Sequence, residues 1–248
     1  MTSVHAVLAA AAALWAAAAA AETITLESPL EQVAVLELYT SHGCNSCPPA
    51  DAWLRGLTAH PALWRELVPL SFHVDYWDRL GWPDRFARAD FSRRQRDYQH
   101  SGGIDTVYTP GFVLNGREWR GWFRRAEPAF ALGPAVGRLA ITVTVGETAT
   151  VTFRPQGEHD SLQAQFAVLG FGLSSPIGGG ENAGKDLRED FVVLGMTQGA
   201  AVAGTAVMEW RLPWPQLKDG PAARHGIAAW VSAPGDPRPL QAVGGWLP

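Results

Sequence analysis

The chain is short of cysteine, of charge and of long apolar runs, and each shortage narrows what it can do. Only two cysteines occur among 248 residues. That excludes a disulfide-dense scaffold, and it excludes a four-thiolate zinc site, because one Cys-x-x-Cys supplies two ligands where a closed site wants four. Charged residues make up 18% of the chain, the formal net charge is -4, and no long run of one sign occurs. Nucleic acid is therefore not expected as a partner. The glycine-containing stretch Ser174 to Glu189, SSPIGGGENAGKDLRE, lacks the Gly-Lys-Ser/Thr ending of a phosphate loop. No cofactor is expected from any motif.

The longest apolar run, Ala6 to Ala21, is short for a membrane span and closes on Ala19-Ala20-Ala21 before Glu22. It reads as a signal peptide over residues 1–21, although its first residues carry His5 and no Lys or Arg. The expectation is a periplasmic or secreted protein with no membrane attachment after cleavage. An oxidising compartment would pair the two cysteines with no third thiol to mispair.

Both cysteines lie in the stretch Val33 to Asp51, VAVLELYTSHGCNSCPPAD. Val33 to Tyr39 is apolar apart from Glu37, as in a strand buried on both faces. Thr40-Ser41-His42-Gly43 suits a loop, and Cys44-Asn45-Ser46-Cys47-Pro48-Pro49 opens a segment whose Trp53, Leu54 and Leu57 recur at helical spacing. The spacing predicts a helix over 44–59. A cysteine at a helix N-terminus meets free amide hydrogens and the positive end of the dipole, both of which favour a thiolate. Cys44 is thus the candidate nucleophile and Cys47, one turn on, the resolving thiol.

Two other readings of the pair stand beside this one. As a cross-link, so short a ring contributes about 2 kcal/mol by loop entropy, against about 3 kcal/mol for a fifteen-residue loop. As a metal site, Cys44 and Cys47 with His73 or His42 offer soft ligands for Cu(I). His42, two residues before Cys44, either lowers its pKa or faces solvent.

Val68 to Tyr76 predicts a second strand, with His73 and Asp75 towards its C-terminal end. In open sheets ligands gather at that end, which places His73 and Asp75 near Cys44, unless Asp75 caps the loop and His73 is a satisfied buried histidine. Pro83 to His100 predicts an arginine-rich helix, either a solvated ion-paired face or an attractor of acidic substrates. Gly111 to Leu114, Asn115-Gly116 and Arg117 to Trp122 predict a hairpin. Pro110 opens its first strand, which suggests a cis bond after Thr109. Phe123 to Leu132 predicts a closing helix. Eleven tryptophans occur, and most read as packing residues.

In this order (strand, Cys-x-x-Cys helix, strand, inserted helix, proline-led hairpin, helix) the segments follow the thioredoxin arrangement. ELYTSHGCNSCPPAD, FHVDYWDRLGW, YTPGFVLNG and GGENAGKDL resemble a family of bacterial secreted proteins of unknown function built on a thioredoxin-like domain. The resemblance implies Cys44 as attacking thiol, Cys47 as resolving thiol, Pro110 as a cis-proline beside them, and Thr109 offering backbone to an extended substrate. It also points to Glu37 as a buried proton-transfer acid. The spacing from Glu37 to Cys44 is one residue longer than in thioredoxins, however, and a shift of one changes the face of a strand. A pairing of Glu37 with an arginine is the alternative.

From about Gly133 short segments alternate with turns, among them 139–145, 149–153, 162–171, 190–196, 202–212, 226–231 and 239–246. They predict an antiparallel β-sandwich. The fold class expected is an α/β thioredoxin-like domain over 22–135 followed by an all-β sandwich over 136–248. Residues 174–189 form a long loop able to cover the dithiol. The function expected is thiol-disulfide exchange with a protein or small-molecule disulfide or thiol. The alternatives are metal handling and a binding module with an inert disulfide.

Overall fold

The segment that the sequence marks as a strand buried on both faces lies inside the largest sheet of the molecule. A computed structural model describes residues 22–126, 128–203 and 206–248. The expected signal peptide, 1–21, lies outside them. Among the described residues there are fourteen strands and two α-helices, with short 3-10 turns between. In chain order the first half contains β1 (Thr23–Glu27), β2 (Ala34–Thr40), α1 (Pro48–Gly56), β3 (Leu67–His73), α2 (Ala89–His100), β4 (Gly111–Leu114) and β5 (Arg117–Glu118). Then come β6 (Gly137–Thr144), β7 (Thr148–Pro155), β8 (Gln163–Phe171), β9 (Leu173–Pro176), β10 (Asp186–Glu189), β11 (Val192–Gln198), β12 (Met208–Pro213), β13 (Arg224–Ser232) and β14 (Gln241–Trp246).

The expected fold class, an α/β thioredoxin-like domain followed by a separate sandwich, is not what the chain forms. Eight strands from both halves make one sheet in the order β14-β13-β8-β11-β3-β2-β4-β5. The join is β11, which runs parallel to β3 through the pair Val192 and Ser71 and antiparallel to β8. The Ser71 amide donates to the carbonyl of Phe191 at 2.8 Å. Conversely β1, from the start of the chain, pairs with β6 in a four-stranded sheet of order β1-β6-β7-β12.

The reason lies in two-sided burial. A sandwich strand alternates between core and solvent, and β6, β7 and β12 do so, turning Leu139, Ile141, Val151, Phe153 and Trp210 inward. Strands β8 and β13 are instead buried almost throughout. Phe166, Val168, Ile227 and Ala229 meet the four-stranded sheet, while Ala167, Leu169, Ala228 and Trp230 join the core that also holds Leu36, Leu38 and Phe72. A strand with both faces apolar is driven into the middle of a layered structure.

The large sheet also curls. Gln241, at the start of β14, accepts from the Val33 amide just before β2 at 3.0 Å, although β14 and β2 are far apart in the sheet order. The Arg94 guanidinium of α2 lies 5.2 Å from the ring of Trp230 on β13 and 5.5 Å from Phe72 on β3.

The proline-led hairpin forms, but its returning strand is only Arg117–Glu118 and not the expected 117–122. β4 and β5 are joined by Asn115 (φ 48°) and Gly116 (φ 79°), and the Thr109-Pro110 bond is cis. Positive φ at both turn residues is the conformation that Asn-Gly tolerates. Two expected helices are shorter. Cys47 is the N-cap of α1, so Cys44 precedes the helix rather than opening it, and α2 begins at Ala89. Among the described residues of the expected helix over 123–132 there is only the end of a 3-10 turn at Gly121–Arg124. No helix among the described residues is long and apolar enough to cross a membrane.

Because one sheet contains strands of both halves, unfolding is expected as a single cooperative transition by calorimetry and tryptophan fluorescence alike. Phe153→Ala, in the four-stranded sheet, is expected to lower the stability of that one transition by about 3–5 kcal/mol. Two separable transitions, with only one shifted by the substitution, would contradict this.

Candidate functional site

β2 and β3 run parallel with Thr40 opposite His73, so their C-terminal ends share one edge of the sheet. The Cys44–Cys47 turn follows β2 directly at that edge. The Cys47 amide donates to the Cys44 carbonyl at 3.2 Å, and the Ala50 and Asp51 amides to that of Cys47 at 2.8 and 3.1 Å, which starts α1. The two sulfurs form a disulfide. Both cysteines are fully buried, and the Ser46 hydroxyl lies 3.3 Å from the Cys44 sulfur.

Pro110 immediately precedes β4, whose Gly111 pairs with Tyr39 near the end of β2, so the cis-proline lies at the same edge as the cysteine turn. Trp77 links the two. Its indole N–H donates to Thr109 Oγ1 at 2.8 Å. Its Cβ leaves so little room beside Gly43 that a side-chain carbon there would come within 2.9 Å of it. Glycine at 43 is what allows Trp77 to lie against the turn.

Glu37 belongs elsewhere. Its carboxylate is buried and accepts from Arg94 Nε at 2.8 Å and Nη2 at 2.7 Å, and from the Tyr39 and Tyr98 hydroxyls at 2.8 and 2.6 Å. Arg94 also donates to the Pro237 carbonyl at 3.0 Å, and the Tyr98 hydroxyl, whose one proton is shared with Glu37, lies 3.0 Å from the same oxygen, tying α2 to the segment before β14. Side chains alternate along a strand. Glu37 and Tyr39 face α2, whereas Thr40 faces α1 and donates to Asp51 at 3.1 Å. Glu37 is therefore a structural ion-pair partner on the face away from the disulfide, not an acid serving it.

The acid on the disulfide side is Asp51, in the Pro-Pro-Ala-Asp run, one turn beyond Cys47. Burial pushes its carboxyl up to about 7, with Glu189 adding, against the opposing pull of His73, Thr40 and His42. A carboxyl in that range exchanges protons with neighbours at neutral pH.

Beside it lies a buried polar cluster drawn from four parts of the chain. Asp84 Oδ2 accepts from the His42 amide at 2.8 Å and lies 2.7 Å from His73 Nδ1, while Oδ1 is 3.2 Å from His42 Nδ1 and accepts from the Phe86 amide at 2.9 Å. His42 Nε2 meets Glu189 Oε1, and Glu189 Oε2 accepts from the Ser175 hydroxyl at 3.0 Å. Burial pulls the His73 imidazole down, but Asp84 outweighs it, with Glu189 and Asp51 adding, and the imidazole is held at about 9. Burial likewise opposes the Asp84 charge, yet His73 and then His42 keep its carboxyl well below the usual carboxylate range. His42 is thus neither solvent-exposed nor free to serve Cys44; Asp84 and Glu189 engage its ring. Asp75 turns to α2, where it accepts from the Ser92 hydroxyl at 2.5 Å.

The long loop is a hairpin. β9 and β10 pair antiparallel, and their tip carries the 3-10 turn Gly180–Asn182. That tip is seated on the cysteine turn. Asn182 Nδ2 donates to the carbonyls of His42 and Cys44 at 2.8 and 2.9 Å, and Glu181 accepts from the Asn45 amide at 3.2 Å. Among the described residues the group of ligand-type side chains close enough for one ion is His42, His73 and Glu189, without either sulfur. A cavity of about 440 Å³ lies by Asp90, Arg93 and Gln198 and is not lined by the cysteine turn.

Residues 35–232 match a family of proteins of unknown function, DUF1223. The chain belongs to the DUF1223 family. A crystal structure of an Agrobacterium tumefaciens protein is similar to this DUF1223 chain at 25% identity and a TM-score of 0.60, covering 86% of this chain and 94% of that one. HBP35 of Porphyromonas gingivalis shares the fold at a TM-score of 0.56 and 12% identity, over 89% of this chain and 76% of its own. A search of curated proteins gave no match.

Glu37→Gln leaves Arg94 buried beside an uncharged partner and is expected to cost about 3–5 kcal/mol in denaturant unfolding. It is expected to leave the alkylation rate of the reduced cysteines unchanged. A tenfold change in that rate at unchanged stability would put Glu37 back beside the thiols.

Proposed function

We propose that this DUF1223 protein is an exported thiol-disulfide exchange protein whose Cys44–Cys47 pair is the redox centre. The observation that carries the reading is a disulfide closed across two residues at the N-terminus of α1, at the sheet edge it shares with the Thr109-Pro110 bond. These are the residues to which the thioredoxin-like resemblance assigned exchange. Export rests on the apolar run up to Ala21.

In the oxidised form a thiolate of a dithiol substrate attacks Cys44 Sγ. The Cys44–Cys47 bond breaks, a mixed disulfide forms, and Cys47 leaves as a thiolate. The second substrate thiol, giving its proton to Cys47, then attacks the substrate sulfur; Cys44 leaves as thiolate and the substrate departs as a disulfide. Two electrons pass to the protein, and the reverse sequence reduces a substrate disulfide. Both cysteines are fully buried, so exchange requires their turn to open, and the hairpin tip bonded to that turn through Asn182 is the contact that has to move.

The same burial favours a second reading, an inert bridge that braces the start of α1. The two differ in reducibility. Exchange predicts that dithiothreitol reduces the native protein by two electrons with a potential in the range of exchange proteins, about -120 to -270 mV. It also predicts that Cys47→Ser accumulates mixed disulfides through Cys44 and that Cys44→Ser does not. A bridge reduced only on unfolding, or one with a potential below about -300 mV, would overturn exchange in favour of the bridge.

A further inference from the structure

We propose that His42, His73 and Glu189 form a binding site for one divalent transition-metal ion of the zinc class, with Asp84 orienting both imidazoles. The site stands apart from the disulfide and does not rest on its chemistry. One ligand atom from each of the three residues lies within 4.8 Å of the other two, and all three side chains are buried.

Asp84 decides which atoms face the ion. Its two oxygens lie 3.2 Å from His42 Nδ1 and 2.7 Å from His73 Nδ1, so both rings spend their Nδ1 on one carboxylate and present Nε2 away from it. Histidines that bind metals are held in this way, with the far nitrogen on a carboxylate. His42 Nε2 then meets Glu189. His73 Nε2 is buried and has no protein partner among the described residues. A polar nitrogen left so in a protein interior costs free energy that a bond to an ion would recover.

The donor set selects the ion. Two imidazole nitrogens and one carboxylate, with no sulfur, match the three protein ligands of zinc sites that keep a fourth position open. Calcium and magnesium prefer all-oxygen surroundings, and Cu(I) prefers thiolate or thioether. Binding of the ion releases the His73 Nε2 proton and the proton between His42 Nε2 and Glu189, after which the carboxylates of Glu189 and Asp84 beside two neutral rings balance a doubly charged cation. Entry is available on two sides. A cleft of about 140 Å³ bounded by Trp82, Arg85 and Ile177 reaches His42, and one of about 270 Å³ bounded by Asp51, Arg55 and Leu187 reaches Glu189.

The test is titration of the chelator-stripped full chain with Zn²⁺ and Co²⁺, followed by calorimetry, cobalt absorption and histidine-ring NMR. One equivalent of each ion is expected per chain, with ring shifts on Zn²⁺ addition at His42 and His73 and none at His60, His100, His159 or His225. The Cys44→Ser/Cys47→Ser variant is expected to bind as the wild type does. Asp84→Asn is expected to weaken binding about 10- to 100-fold, and Glu189→Gln by more. Absence of a stoichiometric site for either ion in the wild type would overturn the proposal without reference to any variant. Ring shifts at other histidines, or loss of binding with the cysteines alone, would overturn it as well.

Discussion

Asp84 is the residue on which the architecture around the disulfide turns. A carboxylate taken out of water has to be surrounded by donors or positive charge. Asp84 accepts from two backbone amides and faces two imidazoles, drawn from the loop after β2, the end of β3 and its own turn. Those contacts hold His42 in place, and His42 is two residues from Cys44. The cysteine turn is therefore held in part by a buried charge, together with Trp77 against Gly43 and Asn182 on its carbonyls. Glu189 extends the same network to β10, and β10 carries the hairpin whose tip seats on the turn.

A second buried charge does for the other face of β2 what Asp84 does for this one. Glu37 and Arg94 fix α2 against the sheet, and through Pro237 they draw the start of β14 towards β2. The curl of the eight-stranded sheet and the placement of α2 follow from this pair together with the aromatic rings around Arg94. The two faces of one strand thus carry separate tasks, a structural ion pair on one side and the polar cluster with the disulfide on the other.

What the sequence made legible was local. Asn115-Gly116 announced its turn, Pro110 its cis bond, and the Cys-x-x-Cys-Pro-Pro run a helix start, because each depends on the conformational limits of a few neighbouring residues. The fold class was not legible. The run FAVLGF in β8 reads as a sandwich strand until it is known that both its faces meet apolar layers. For Glu37 the one-residue shift in spacing already set an arginine pairing beside the proton-transfer role, and the pairing with Arg94 is what forms. The polar cluster escaped because His42 and Glu189 are 147 residues apart, and only the seating of β10 beside α1 in the folded chain brings them together. Asp51 could have been found, since an acid one turn beyond the second cysteine of such a motif sits on the cysteine face of the helix.

The proposed exchange requires the hairpin tip to lift from the cysteine turn, and the seat of that tip is Asn182 with its bonds to the His42 and Cys44 carbonyls. The most direct measurement is the rate at which dithiothreitol reduces native Asn182→Ala compared with the wild type, under conditions where both are folded. Loss of two hydrogen bonds worth about 0.5–1.5 kcal/mol each predicts a rate increase of about 5- to 150-fold, with the melting transition lowered by several degrees. An unchanged rate, or reduction that tracks global unfolding in both proteins, would contradict a gating role for the hairpin tip.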